Sequence, residues 1–320
     1  LLNRSFLSAA PPTVAVEIAR RRVSAAAITS RDSALSVTAH AMELLPDGMV
    51  SPSMNAANIA DPKAAAAALR RVFEQMGVRP KRVALAIPDS VAKVSLLRFE
   101  KVPPRARDLE ELVKWQVRKA APFRIEDAQL SYMPSLTAAD GSTEFIVVMA
   151  RKDIIREYEA VCQEAGAQAG VVDLATFNVI NAVLAGPQAP ADDWLLVHVT
   201  REDATMAILR GDSLVFFRNH VAEGEAGLAD MVHQTAMYYE DRLSGTGFSH
   251  VVLAGGGSPA AQAGQDADYL RHALEQRLGT RVDAVDPRTA ATLADRITAN
   301  SELLDALAPL VGLLARERAA

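Results

Sequence analysis

The chain opens with a strand–turn–strand pattern that returns almost two hundred residues later. Val14-Ala15-Val16-Glu17-Ile18-Ala19, a polar turn at Arg20 to Arg22, Val23 to Thr29 and a second turn at Ser30 to Ser33 read as hairpin strands. Leu195-Leu196-Val197-His198-Val199-Thr200, a turn at Arg201 to Asp203, Ala204 to Leu209 and a turn at Arg210 to Ser213 repeat that layout. Glu17 and His198 hold equivalent places in the two copies, as do Ala19 and Thr200. A hairpin duplicated at the head of two halves is the layout of folds that clamp a nucleotide between those halves.

Length and charge narrow the classes. With 320 residues, half of them hydrophobic, the chain can bury two cores and is of globular composition. A net charge of −5 argues against a nucleic-acid binder, which needs a basic face. No apolar run approaches the ~18–20 residues of a spanning helix, and Phe145 to Ala150 is strand-sized. Cys162 is the sole cysteine, so no intrachain disulfide forms and a reducing compartment is expected. The opening ten residues lack the apolar core of a secretory signal, so the expected location is cytoplasmic.

Between the two hairpins the pattern alternates. Asp61-Pro62 opens a helix with Leu69, Val72, Phe73 and Met76 on one face and Gly77 as its stop. Arg82 to Ile87 is a buried strand ended by Pro88-Asp89-Ser90. A smaller module begins at Val94 to Phe99. Its helix follows Pro103-Pro104, with Asp108 and Glu111 spaced as in a capping box, an apolar stripe of Leu109, Leu112, Val113, Val117 and Ala120, and Pro122 as terminator. Strands at Gln129 to Leu136 and Glu144 to Ala150 flank the Ala139-Asp140-Gly141-Ser142 turn, and the helix carrying Ile154, Tyr158 and Cys162 stops at Gly166. Val171-Val172-Asp173 and a helix through Leu184 return to the first domain, and Gly186 to Pro190 is a linker. The second half adds a helix over Leu228 to Leu243, a strand at Val251 to Ala254 running into Gly255-Gly256-Gly257, a helix over Asp268 to Leu278, and a strand at Arg281 to Val285. A last helix carries Leu303, Leu307, Leu310, Val311 and Leu314 on a stripe expected to pack on the second half.

Two hairpin-led α/β halves with a late strand-Gly-Gly-Gly-helix resemble the actin-like ATPase superfamily. Ala86-Ile87-Pro88, Phe99-Glu100-Lys101-Val102-Pro103, Leu109-Glu110-Glu111-Leu112 and Ala121-Pro122-Phe123 look more specifically like the PilM family of type IV pilus assembly proteins, related to FtsA. Val172-Asp173-Leu174, Leu253-Ala254-Gly255-Gly256-Gly257 and Ala308-Pro309-Leu310-Val311-Gly312-Leu313 extend the match over nearly the whole chain. The resemblance implies duplicated actin-like (ribonuclease H-like) domains with an FtsA-type inserted α+β subdomain. On this chain the first domain then spans 12–89 and 167–187, the insertion 90–166, and the second domain, with a reduced lid, 191–320. It also implies an ATP/Mg cleft between the halves and a groove for the cytoplasmic tail of a PilN-like inner-membrane partner.

An actin-like phosphate hairpin needs Asp-x-Gly: the carboxylate holds hydrated Mg²⁺, and the glycine lets backbone N–H groups close on phosphate. Here the first hairpin has Glu17-Ile18-Ala19, with Ser24 where the family usually places a Lys, and the second has His198-Val199-Thr200. Imidazole is a poor Mg²⁺ ligand and Thr200 is β-branched where Gly is wanted. Only Asn219 to Gly227 stands where the family inserts the subdomain over the adenosine. Gly255, Gly256 and Gly257 read either as a backbone approach to nucleobase or ribose or as a tight strand-to-helix turn; Arg20 to Arg22 read either as a substitute for the Lys or as a solvated turn. No cofactor is certain from these residues.

Other sites find little support. The six histidines lack zinc spacing, and His198, His220 and His233 read as ordinary placements. Cys162, on an apolar helix face, reads as a structural thiol. The inserted module is the expected partner surface: Trp115, Pro122, Phe123 and Tyr132 read either as peptide anchors or as that module's core. Without a flexible linker or a basic face, the last helix is not expected to enter a membrane, so membrane attachment goes through a partner on the pilus inner-membrane platform. The expected function is a cytoplasmic adaptor without ATP turnover. The alternatives are a working actin-like ATPase of pilus or cell-division type, or a GspL-like secretion component; oligomeric state is left open.

Overall fold

The computed structural model describes residues 11–31, 34–201, 203–221, 224–256, 267–295 and 297–319. The opening ten residues and Gly257 lie outside them.

Two sheets form the halves. The first takes β1 (Val14–Ile18), β2 (Arg22–Arg31), β3 (Ala34–Leu44), β4 (Arg82–Ile87), β8 (Gln168–Leu174) and β14 (Thr292–Leu293) in the order β14-β3-β2-β1-β4-β8. The second takes β9 (Asp193–Val199), β10 (Asp203–Arg210), β11 (Ser213–Val221), β12 (His250–Ala254) and β13 (Val282–Ala284) in the order β11-β10-β9-β12-β13. The duplication holds residue for residue. Glu17 faces Ser24 across the first hairpin and His198 faces Thr205 across the second. The turns close by Ala19 N–H to Arg22 O, 2.9 Å, and Thr200 N–H to Asp203 O, 2.8 Å. β4 and β12 run parallel to β1 and β9 in matching positions, with Ala86 beside Glu17 and Ala254 beside His198. Such parallel inner strands are buried on both faces, which is why they read as unbroken apolar runs.

Helices cover all four sheet faces. α1 (Pro62–Met76) and α3 (Lys152–Glu164) pack on one face of the first sheet. The boundaries of α1 follow from its ends. The Asp61 carboxylate accepts from Ala64 N at 3.0 Å, Pro62 presets the first turn, and Gly77 closes the helix at φ 68°. The helix α3, assigned from sequence to the inserted module, instead joins the first core. Its Glu157 carboxylate accepts the N–H groups of Asn58 and Ile59 at 2.7 and 3.1 Å, and its Tyr158 hydroxyl donates to Asn58 Oδ1 at 3.0 Å. On the second sheet, α5 (Gly224–Leu243) and α6 (Ala267–Leu278) cover one face.

The two inner faces exchange helices. α4 (Ala175–Leu184) ends the first half, yet Val179 and Ile180 pack on Trp194, Leu196 and Ala207 of the second sheet. α7 (Ser301–Ala319) ends the second half, yet Leu307, Leu310, Val311 and Leu314 pack on Ala15, Ala26, Ala84 and Ala86 of the first sheet. This corrects the expectation that α7 covers its own half. Small residues on β1, β2 and β4 leave room for its large side chains there. The pair cross at Gly312, where an added Cβ would lie 1.7 Å from Asn178 O.

The inserted sheet has the order β5-β7-β6, with β5 (Ala92–Phe99), β6 (Ala128–Thr137) and β7 (Thr143–Arg151). α2 (Ala106–Val117) covers one face of it, burying Val113 and Val117 with Phe99, Phe145, Val147 and Met149. No capping box forms. Arg105 is the N-cap without a side-chain bond, Asp108 sits inside the first turn, and the helix stops at Val117, well before Pro122. On the other face, Leu96 and Ile146 meet Phe177 and Phe217. Ser135 Oγ donates to Leu214 O at 2.8 Å, so the module touches the second half directly.

Candidate functional site

A cleft opens where the tips of β1, β4, β9 and β12 meet, lined by Glu17, Ala19 to Arg22, Asp89, His198 to Arg201, Asp203, Gly255 and Asp305. Both hairpins and Gly255 therefore converge as the repeat predicts.

Glu17 is buried and already engaged. Arg22, from its own hairpin, places Nε and a terminal nitrogen 3.0 and 2.9 Å from Glu17 Oε2, and Ser24 Oγ donates to the same oxygen at 3.2 Å. Ser24 thus holds the carboxylate, and Arg22 supplies its counter-charge. A carboxylate in a buried pair with guanidinium is a poor Mg²⁺ ligand, since metal entry would leave Arg22 uncompensated.

His198 is buried for a different reason. Thr176 Oγ1 lies 2.7 Å from its Nδ1. The Thr176 hydroxyl proton goes to Asp89 Oδ2, so the proton in the His198 contact must sit on Nδ1, a tautomer assigned by the hydrogen-bond chain. Burial holds the imidazole below its ordinary pKa, which keeps it neutral.

Asp89 is the centre of this chain. Its Oδ1 accepts Thr176 N–H at 3.1 Å and its Oδ2 accepts the hydroxyls of Thr176 and Thr205, the latter at 2.8 Å. Asn219 Nδ2 donates to Thr205 Oγ1 at 2.9 Å. Burial pushes the Asp89 carboxyl above the usual range, against the pull of those three hydrogen bonds. The chain Asn219–Thr205–Asp89–Thr176–His198 runs from β11 across β10 to the end of β4, and through α4 back to β9. It joins the two halves through side chains of both.

Two further groups at the cleft are also engaged. Thr200 Oγ1 closes its turn against Asp203 Oδ1 at 2.9 Å. Gly255 N–H donates to Asp305 Oδ1 of α7 at 2.9 Å. Gly255 has φ 83°, and a Cβ there would fall 1.9 Å from Val199 O, so glycine is required by the packing of β12 against β9. Gly256 follows it, buried in the same turn. Arg21 pairs with Asp47, on the rim of the cleft. These groups can hold the halves together, and the two hairpin residues Glu17 and His198 are both engaged with protein partners.

Asp89, Thr176, Thr205, Asn219 and Asp305 were not singled out from sequence. One signal was available: Thr205 follows His198 at the spacing by which Ser24 follows Glu17.

On the inserted module the four aromatic and proline candidates do not converge. Phe123 and Tyr132 are half-buried in its core, with Tyr132 and Phe145 ring centroids 6.5 Å apart, and Pro122 is exposed. Trp115 is 66% exposed and lies about 200° around α2 from Val113, beyond the apolar stripe. Cys162 is fully buried and its thiol is pushed up to about 12, which makes it inert. No described helix is long and apolar enough to cross a membrane.

Comparison with known proteins agrees with this architecture. The family model described as type IV pilus assembly protein PilM matches residues 15–242. A solved PilM-PilN type IV pilus biogenesis complex superposes with a TM-score of 0.79 at 19% identity, covering 96% of this chain and 98% of that one. A protein of unknown function with an actin-like ATPase fold from Bacteroides thetaiotaomicron gives a TM-score of 0.48 at 11% identity, covering 86% of this chain and 90% of that one. The ethanolamine utilization protein EutJ from Carboxydothermus hydrogenoformans gives 0.49 at 11% identity, covering 96% and 90%. No curated protein matches the chain by sequence. With its duplicated hairpins, exchanged helices and inserted sheet, and with the family model covering most of its length, the chain belongs to the PilM family of type IV pilus assembly proteins.

Proposed function

We propose that this chain is a PilM-type adaptor that works without ATP turnover, in the cytoplasm, recruited to the inner membrane by the tail of a PilN-like protein. The observation that carries the reading is the Glu17–Arg22 ion pair, which neutralises the only carboxylate at the first hairpin where a metal would be held. The Asp89 chain supports it, because it ties the two halves together across the cleft through protein hydrogen bonds. In this reading residues 12–89 and 167–187 form one domain, 191–320 the other with its last helix packed on the first, and 90–166 the insertion, whose sheet and α2 meet the partner while α3 packs on the first domain. Glu17, Ala19, Ser24, His198, Thr200 and Gly255 to Gly257 mark a cleft that no longer serves phosphate.

The tail has a groove to enter. Between α2 and β6 lies a cavity of about 360 Å³, with Ile125 and Leu130 among its apolar lining and Lys114, Arg118 and Lys152 among its cations. β6 is an edge strand, so an extended peptide can add beside it. Phe123 and Tyr132 support this wall from the module's core.

Calorimetry of the full chain with Mg-ATP, paired with pull-down by tails of inner-membrane pilus proteins, tests the proposal. The expected result is no turnover and one tail bound at micromolar concentration, weakened by Lys114→Glu with Arg118→Glu. Stoichiometric ATP hydrolysis abolished by Glu17→Ala would establish the working ATPase instead.

A further inference from the structure

Beside the groove, the outer face of the α2 C-terminus combines an unburied indole with exposed cations, of which Lys114 pairs with Glu110 one turn back. Leu112 to Ile125 holds Lys114, Arg118, Lys119 and Arg124 and no carboxylate, in a chain of net charge −5. Trp115 is 66% exposed and has no aromatic neighbour. Arg118, the C-cap of α2, and Lys119 in the turn after it stand three and four positions on, and both are exposed with no ion pair among the described residues. Arg124, beyond Pro122, is 78% exposed, with Glu126 3.8 Å away. Trp115 projects from the helix face opposite the module's core, about 200° around α2 from the buried Val113.

The geometry points to a peripheral contact with an anionic bilayer surface, made by Trp115, Arg118, Lys119 and Arg124. A projecting indole with exposed cations beside it fits a deformable anionic plane, whereas an extended peptide fits the groove, which Arg118 lines from its far side and Trp115 does not. The indole, apolar in body with one N–H donor, suits the headgroup layer, and the cations meet the negative leaflet. The long Lys and Arg stems let the charges reach phosphate while the helix stays outside the hydrocarbon. The contact is independent of the reading of the cleft. It adds a weak second attachment to the one made by a partner's tail, and two weak attachments together hold a protein far longer than either alone.

The chain carries its own probe. It has two tryptophans; Trp194 is fully buried, so the solvent-exposed emission comes from Trp115. The full chain, without any partner, is mixed with vesicles of phosphatidylcholine alone or with phosphatidylglycerol added. The expected result is a blue shift of Trp115 emission and co-sedimentation with the anionic vesicles only, both falling as salt rises. Lys119→Glu lowers the partition roughly tenfold or more, since each cation near such a surface contributes a factor of about five and the reversal adds repulsion. Trp115→Ala lowers it several-fold and Trp115→Phe restores part of it, with the fold retained because most of the side chain is exposed. Equal binding to neutral vesicles, or anionic binding with no shift in emission, overturns the proposal. So does capture of an acidic peptide at this face in place of lipid, abolished by Trp115→Ala.

Discussion

Replacing Thr205 by Val tests whether the Asp89 chain holds the halves together. Valine has the shape of threonine, so no cavity opens at this fully buried position, and only the hydroxyl is lost. That hydroxyl donates to Asp89 Oδ2 at 2.8 Å and accepts from Asn219 Nδ2 at 2.9 Å. Losing a hydrogen bond to a buried carboxylate costs about 1.5–3 kcal/mol, and the half-buried Asn219 amide about 1 kcal/mol more. Burying a methyl in place of the hydroxyl returns about 1 kcal/mol, which leaves a net loss of about 1.5–3 kcal/mol. The loss depends on pH. Burial already raises Asp89, so the folded chain binds this proton more tightly than the unfolded one, and Asp89 weakens the fold as pH rises through its raised pKa. Removing a donor raises it further, so the cost of Thr205→Val grows from acid to neutral pH. Urea unfolding of Thr205→Val, Asp89→Asn and the double variant measures both terms, with a coupling of about 1 kcal/mol or more expected between the sites. A single-variant change within about 0.5 kcal/mol, or additive losses, refutes the idea that the hydroxyl and carboxylate act across the cleft.

Two further perturbations have clear signs. Gly312→Ala puts a Cβ 1.7 Å from Asn178 O, so α4 and α7 must part; despite a gain of up to about 1 kcal/mol in helix propensity, a net loss of about 1–3 kcal/mol is expected in urea unfolding. An alanine variant as stable as the parent would show that the helices are not in contact there. His40 has a buried Nε2 without a hydrogen-bond partner and a pKa lowered to about 4, by burial first and then by Arg22, with Glu17 pulling the other way. Its unfolded form takes a proton near pH 6.5, so stability is expected to fall as pH drops from there toward 4, and His40→Gln flattens that limb of the curve. An unchanged limb in His40→Gln contradicts the assignment.

Features coded by near neighbours were legible from sequence. Asp61-Pro62 and Gly77 bound α1 because a cap and a stop act within one turn of chain. The equivalence of Glu17 with His198 survives in the sheet registers because a hairpin fixes register through its own turn. Helix destinations were not legible. The apolar stripes of α3 and α7 show that each buries a face, but not which sheet receives it, and both pack elsewhere than their place in the chain suggested. The two-residue β14 leaves no periodic trace. The heart of the cleft was hidden for the same reason, since Asp89 finds its partners 87 and 116 residues away. For Trp115 the sequence left two readings open, anchor or core, and its exposure past the apolar stripe leaves it out of the core.

The exchange of α4 and α7 also governs the order in which the molecule can be built. When ribosomal synthesis has passed Leu174, every strand of the first sheet but β14 has been made, yet the alanine-lined face of that sheet stays bare until Leu307 to Leu314 emerge well over a hundred residues later. During that interval the nascent half carries an open apolar wall, a target for chaperones and for mispairing with another unfinished chain. Cutting the gene between the hairpins would therefore yield two sticky fragments rather than two domains, each waiting for a helix encoded by the other.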